Sequence, residues 1–243
     1  MLDHFVHQAP ANCVLIHGAG GTNLIWRGAV RELAGTGRAF AVNLPGHPSG
    51  DITCKTVHEY AASVGGFIAE IGVERPVVCG HSMGSAIALQ LAIDHPESVG
   101  GLILVGAGAK LGVDPKIVEG LRTAPMKTIE ETITPMSYFK IDVGLGREAR
   151  AALSFSNLPV FLNDYLACDG FDVRRQLPSI GARTLVVCGE DDRMTPPKWS
   201  EFLAKNMQAA SLELVQGAGH MLPLEKPAVT GKILQDFLLK LSR

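Results

Sequence analysis

A serine hydroxyl becomes a nucleophile only where a turn exposes it and a base can take its proton. Gly80-His81-Ser82-Met83-Gly84 has the Gly-x-Ser-x-Gly spacing that such a turn requires. A sharp strand-to-helix turn would lift Ser82 above a sheet, and side chains two residues either side would collide, so glycine is needed at both places. With 27 glycines in 243 residues, the bare pattern arises by chance in roughly one such chain in seven or eight, so its surroundings must decide. The base that fits best is His220, in the glycine-flanked turn Gly217-Ala218-Gly219-His220 after a short apolar run. An acid must hold that base in the right tautomer, and Asp191 or Asp192, in the turn after the preceding strand, can do so. Donors for the developing oxyanion come from the main chain: the N–H of Met83, and one from the His17-Gly18-Ala19-Gly20 loop, most simply Ala19, with Gly20 as the alternative.

These groups meet only if alternating strands and helices bring them to one edge of a sheet. Arg75 to Cys79 reads as a buried strand and Ala86 to Ile93 as a helix packed on it. Asn12–Gly18, Ala39–Leu44, Gly101–Gly106, Ala182–Gly189 and Ser211–Val215 are further apolar strands. Trp26–Leu33, Thr56–Ile71, Trp199–Met207 and Pro227–Leu241 have helical spacing, and Thr56 with Glu59 forms a capping box. Such alternation implies a mainly parallel sheet covered on both faces. The rhythm breaks after Ala107: from 108 to 177 the chain supplies helical pieces (Asp114–Thr123, Met126–Thr134, Arg147–Phe155, Pro159–Cys168) and no convincing strand. The expected organisation is a core of residues 1–107 and 178–243 with a helical cap inserted at 108–177. A helical insert laid across a sheet leaves a space beneath it. Among its large apolar residues, Phe139, Phe161 and Tyr165 are the candidates for lining that space and contacting substrate, while the others, Phe155 included, form the insert's own small core.

Taken together, His17-Gly18, Pro45-Gly46-His47, the Ser82 turn, Gly189-Glu190-Asp191-Asp192 and Gly219-His220 resemble the alpha/beta-hydrolase fold family, in its esterase and lipase type with a helical cap. The resemblance covers almost all of the chain outside the insert. It implies an α/β fold with a mostly parallel sheet of seven or eight strands, a serine mechanism and a Ser-Asp-His triad in that chain order. In the family pattern the acid stands three residues after the strand-ending glycine and four before a proline; Gly189 and Pro196 put that position at Asp192. Two departures stand out. Asn43 and Pro48 occupy places often held by aspartate and glycine, and the first long strand arrives by Asn12, so the small strands that usually precede it are shortened or partly missing.

The expected function is hydrolysis of small to medium apolar carboxylic esters through an acyl-Ser82 intermediate, without a cofactor. Rivals on the same triad are carbon–carbon (diketone) hydrolysis, for which Arg122, Arg147, Arg150, Arg174 and Arg175 could supply cations, and thioester or lactone hydrolysis. A ligand-binding receptor of the same fold is the non-enzymatic rival. A net charge of −2 gives no electrostatic case for nucleic acid or an anionic membrane. No His or Cys cluster has metal-ligand spacing, and five widely spaced cysteines read as buried structural thiols. The start lacks the basic-then-apolar order of a secretory signal and no run can span a bilayer, so a cytoplasmic monomer or homodimer is expected. His17 and His47 are expected to bond backbone from their turns, and His81 to point away from Ser82.

Overall fold

The computed structural model describes residues 1–35, 37–141, 143–152 and 157–241. The short apolar runs become strands. β1 (His4–Ala9), β2 (Cys13–Ile16), β3 (Gly37–Val42), β4 (Val77–His81), β5 (Gly101–Val105), β6 (Thr184–Gly189) and β7 (Ala210–Val215) form one seven-stranded sheet in the order β1-β3-β2-β4-β5-β6-β7. Every pairing is parallel except that of β1 with β3. The count is therefore seven, and the shortened beginning amounts to a single antiparallel edge strand.

Before the β5–β6 connection lie the helices α1 (Val57–Glu70) and α2 (Met83–Asp94). Within that connection lie α3 (Pro115–Thr123), α4 (Pro125–Thr128), α5 (Thr134–Ser137), α6 (Val143–Ala152) and α7 (Leu158–Asp169). Then follow α8 (Pro197–Asn206), α9 (Leu222–Glu225) and α10 (Pro227–Leu241). The capping box starts α1 as expected: Thr56 Oγ1 accepts the Glu59 N–H, and Glu59 accepts the Thr56 N–H.

Because successive strand residues face opposite sides, each central strand feeds two apolar layers. Val14, Ile16, Val78, Leu102, Leu104 and Val186 join the layer under α1 and α2. Cys13, Leu15, Cys79, Ile103, Val105 and Val187 join the layer under α10. Removing each such side chain from water is worth about 1.5–3 kcal/mol for the larger ones, which is what holds the turns above them in place.

One expected helix is absent. Where a single helix is expected over 26–33, the chain makes two 3₁₀ turns, Asn23–Trp26 and Ala29–Glu32. Here α10 presses too close: a Cβ at Gly28 would sit 2.7 Å from Pro227, and one at Gly231 would sit 2.2 Å from the Ala29 carbonyl. Tertiary packing overrides local propensity.

Between β5 and β6 the described residues supply the helices α3 to α7, joined by loops, and no strand of the sheet. The segment between α4 and α5, Ile129–Ile133, is a π-helical turn. It precedes Pro135, which has no N–H to continue an α-helical ladder. At the base of the segment its two ends run antiparallel: the Val173 N–H donates to Ala109 O (2.8 Å), the Leu111 N–H donates to Phe171 O (3.3 Å), and Lys110 bridges Asp172. Ile117, Leu121, Ile129, Ile133, Phe161 and Tyr165 form a small core of their own. Phe155, and the end of the helix expected to reach it, lie outside the described residues. Among the described residues no helix is long and apolar enough to cross a membrane.

Candidate active site

Ser82 stands between β4 and α2 with φ 55° and ψ −117°, a backbone conformation that costs a residue with a side chain about 1–3 kcal/mol. The surroundings leave it no other course. A Cβ at Gly80 would lie 2.0 Å from the Gly84 carbonyl, and one at Gly84 would lie 2.4 Å from the Ile16 carbonyl, so both flanking glycines are required by contact. The Ser82 N–H donates to Val105 O (2.8 Å) and the Ser85 hydroxyl donates to Gly80 O (2.7 Å), tying the turn to the neighbouring strand. Met83 opens α2, where the first N–H groups of a helix lack intrahelical partners.

Asp192 follows β6 and is buried. Its Oδ1 accepts the N–H groups of Met194 and Thr195 (both 2.8 Å). Its Oδ2 accepts from the Thr195 hydroxyl (2.8 Å) and is 2.9 Å from Nδ1 of His220. Burial pushes the Asp192 carboxyl upward, but His220 and the Thr195 donors outweigh it and hold it below the ordinary carboxylate value. Neighbouring Asp191 turns differently: its N–H donates to Ala218 O (3.0 Å), and among the described residues its carboxylate makes no hydrogen bond or ion pair.

His220 is buried beyond β7, and two further residues brace its loop. His81 Nε2–H donates to the His220 carbonyl (2.9 Å), with the two rings 4.8 Å apart. Burial, followed by the proximity of His220, lowers the pKa of His81 to about 3, so it stays neutral. His81 thus reaches across to the His220 loop. Glu225 accepts the Gly219 N–H (3.0 Å) on one oxygen and the Phe139 N–H (2.8 Å) on the other. Burial pushes this half-buried carboxyl upward.

Of the two amides considered in the loop after β2, that of Gly20 is already committed, donating to Asp164 Oδ2 (2.8 Å). Ala19 and Ser82 both line the cavity described below. His17 bonds backbone as expected: Nδ1–H donates to Gly18 O (2.8 Å) and Nε2 accepts the Leu44 N–H (3.0 Å). His47 bonds Pro45 O and, in addition, the Asp164 carboxylate.

A cavity of about 240 Å³ joins these groups. Ser82, His220, His81 and Ala19 line it from the sheet side. Ile117, Ile129, Ile133, Phe161 and Tyr165 line it from the helical side, with the rings of Phe161 and Tyr165 stacked at 5.4 Å and 12°. Phe139 stands apart. It does not line the cavity; Glu225 holds its backbone beyond the end of α5, and its ring lies beside Lys140 near Gly217. Arg122, Arg147, Arg174 and Arg175 are exposed and do not line the cavity either, Arg174 being paired with Asp172; the Arg150 side chain lies outside the described residues.

Three residues at this site escaped sequence reasoning: Thr195, Glu225 and Asp164. Only Asp164 left a trace, a lone carboxylate between Phe161, Tyr165 and Cys168 on an apolar helix.

A mostly parallel sheet whose strained serine turn, acid turn and histidine loop follow β4, β6 and β7 is the architecture of an alpha/beta hydrolase. The family model described as the alpha/beta hydrolase family matches residues 13–231, and the chain belongs to that family; it is a hydrolase. It is 28% identical to a pimeloyl-(acyl-carrier protein) methyl ester esterase of Neisseria meningitidis, over 92% of this chain and 91% of that one. It is also 28% identical to a 2-hydroxy-6-oxo-6-phenylhexa-2,4-dienoate hydrolase of Burkholderia cepacia, over 93% of this chain and 86% of the other. A solved structure described as a thermophilic esterase superposes with a TM-score of 0.83 at 30% identity, covering 99% of both chains.

Proposed function

We propose that this protein is a serine carboxylic-ester hydrolase for small to medium esters with neutral, apolar acyl groups. The observation that carries the reading is the shared cavity: the strained Ser82 and the Asp192-bonded His220 open into one apolar space. In the proposed reaction the Ser82 hydroxyl attacks the ester carbonyl while His220 takes its proton. Asp192 holds the imidazole with Nδ1–H toward itself and stabilises the imidazolium. The N–H groups of Ala19 and Met83 receive the negative charge on the carbonyl oxygen. Collapse expels the alkoxide, which takes the proton from His220 and leaves acyl-Ser82. A water, deprotonated by His220, then attacks the acyl carbon; the carboxylic acid leaves and Ser82 regains its proton.

The curated relatives include both an ester hydrolase and a carbon–carbon hydrolase. The composition of the cavity favours the ester. A ring-cleavage substrate carries a carboxylate, which needs a cation or several donors once desolvated. Among the described residues no lysine or arginine lines the cavity, whereas Asp114 does. A panel of 4-nitrophenyl esters of rising acyl length, run beside a vinylogous diketone acid and a thioester, tests the reading. Sustained turnover of the neutral esters is expected to dominate; preference for the diketone acid would overturn the ester assignment, and a single slow turnover with a lasting adduct would favour a receptor.

A further inference from the structure

Asp164 lies on α7 with 0% exposure. Three donors from three separate parts of the core converge on it. The Gly20 N–H (2.8 Å) comes from the loop after β2 and the His47 Nε2–H (2.8 Å) from the loop after β3; both reach Oδ2. The Tyr60 hydroxyl of α1 donates to Oδ1 (2.7 Å). One helical turn earlier, the Phe161 ring lies against Gly20, so close that a Cβ there would sit 2.1 Å from it. With φ 64°, Gly20 is clasped at both its amide and its α-carbon by the same face of α7.

The charge at this site follows from its partners. His47 faces two acceptors, the Pro45 carbonyl through Nδ1 (3.2 Å) and Asp164 through Nε2, so both ring nitrogens donate and the ring is an imidazolium. His17, with its ring 4.7 Å away, donates from Nδ1 and accepts at Nε2, so it is neutral. The shifts agree: burial lowers both rings, but for His47 the Asp164 bond and charge outweigh burial and raise it, whereas His17 is driven well down. Tyr60, Cys54, Cys168 and Tyr165 stay uncharged beside it, since burial, the largest cause in each, pushes all four upward. A buried ion pair is weak evidence for stability, because desolvation offsets its Coulombic attraction. Its placement here, against one loop amide, points to another use.

We propose that Asp164 is a positioning residue: by holding the Gly20 amide against α7 it sets the neighbouring Ala19 N–H in the oxyanion position, so that catalysis depends on the docking of the helical segment. This rests on the ester-hydrolase reading above. Replacing the carboxylate by an amide keeps the shape and removes the charge that strengthens the Gly20 and His47 bonds about twofold. Complete loss of an oxyanion donor costs about 10²–10³ in kcat; a loosened one should cost about tenfold.

The test compares wild type, Asp164→Asn and His47→Gln in three measurements. These are the fraction of Ser82 labelled by a fluorophosphonate, kcat and KM per labelled site on 4-nitrophenyl butyrate, and Ki for an alkyl boronic acid, which becomes a tetrahedral anion on the serine. Expected for Asp164→Asn are full labelling, kcat about tenfold lower, KM within about twofold, and a Ki raised in parallel with the fall in kcat. His47→Gln should show the same pattern at about threefold. A merely structural role would lower the labelled fraction and leave kcat per site and Ki unchanged, and that result overturns the proposal. If Asp164→Asn does not fold, His47→Gln decides alone, and unchanged kcat and Ki there overturn it equally. Wild type that takes no label and turns over no ester would sink the serine reading itself, a result distinct from a labelled variant with normal kcat.

Discussion

The sheet side of the cavity and its helical side hold their residues by different means. On the sheet side, Ser82, Asp192 and His220 are fixed by backbone geometry and hydrogen bonds to the main chain. On the helical side, Ile117, Ile129, Ile133, Phe161 and Tyr165 are held by apolar packing among themselves, with the Asp164 cluster as a polar anchor to the core. Hydrogen-bonded geometry is intolerant of change, because a group moved by an ångström loses its bond. Apolar packing tolerates exchange of similar volumes. Rate should therefore be set by the first wall and preference among substrates by the second.

The largest expected effect breaks the first wall at its centre. Ser82→Ala should retain its melting temperature or gain slightly, since alanine carries the same backbone strain, and lose about 10⁶ in kcat. Residual activity above a hundredth of wild type in a pure preparation would move the nucleophile elsewhere.

Next comes the pair of adjacent aspartates, which differ in partners alone. Asp192→Asn should lose about 10⁴ in kcat, as expected when the histidine's tautomer is no longer held. Asp191→Asn, whose carboxylate has no bonded partner among the described residues, should stay within about tenfold. Both are read from initial rates near pH 8. A crippled Asp191→Asn beside a nearly normal Asp192→Asn would reverse the assignment.

Changes to the second wall should alter which ester is preferred. Phe161→Ala and Tyr165→Ala are each expected to shift kcat/KM toward bulkier acyl chains by about 1–3 kcal/mol, roughly 10- to 200-fold in relative terms. Equal loss across all chain lengths would show that this wall acts on rate instead.

The two walls also differ in how their ionic anchors respond to pH. The Asp192 carboxyl is lowered on folding, so it contributes stability above the ordinary carboxylate pKa near 4 and loses it as pH falls through the folded value. The His47 ring is raised, so its contribution is full below about pH 6.5 and is lost as pH climbs through the folded value. Melting temperature followed across pH should show an acid decline that is shallower in Asp192→Asn and an alkaline decline that is shallower in His47→Gln. Identical profiles in all three proteins would remove both assignments. The smallest effect is reserved for Phe139→Ala, expected within about threefold on every ester, because its ring lies off the cavity.

Much of this architecture was legible from local rules. The capping box of α1, the central strands and the helical character of the β5–β6 connection rest on local spacing; Gly80 and Gly84 were legible from their spacing around Ser82, although the carbonyl that crowds Gly84 belongs to distant Ile16. Other features escaped those rules. The helix expected at 26–33 yielded to α10, whose close approach involves residues some two hundred positions later. Phe139 looked like a wall residue by composition, yet Glu225 holds its backbone away from the cavity. Asp164 carries no local signal of its role, because its partners, Gly20, His47 and Tyr60, come from three distant stretches.

By itself the amino-acid sequence determined what each segment wanted locally: which residues alternate, which turn must be glycine, where a helix starts, and that a serine, an acid and a histidine follow three separate strands in that order. Only the tertiary structure decided which distant residues brace the His220 loop and the Gly20 amide, and which aromatic rings reach the cavity. Those choices depend on side-chain direction and on contacts between residues far apart in the chain, and the spacing of residues along the chain carries neither.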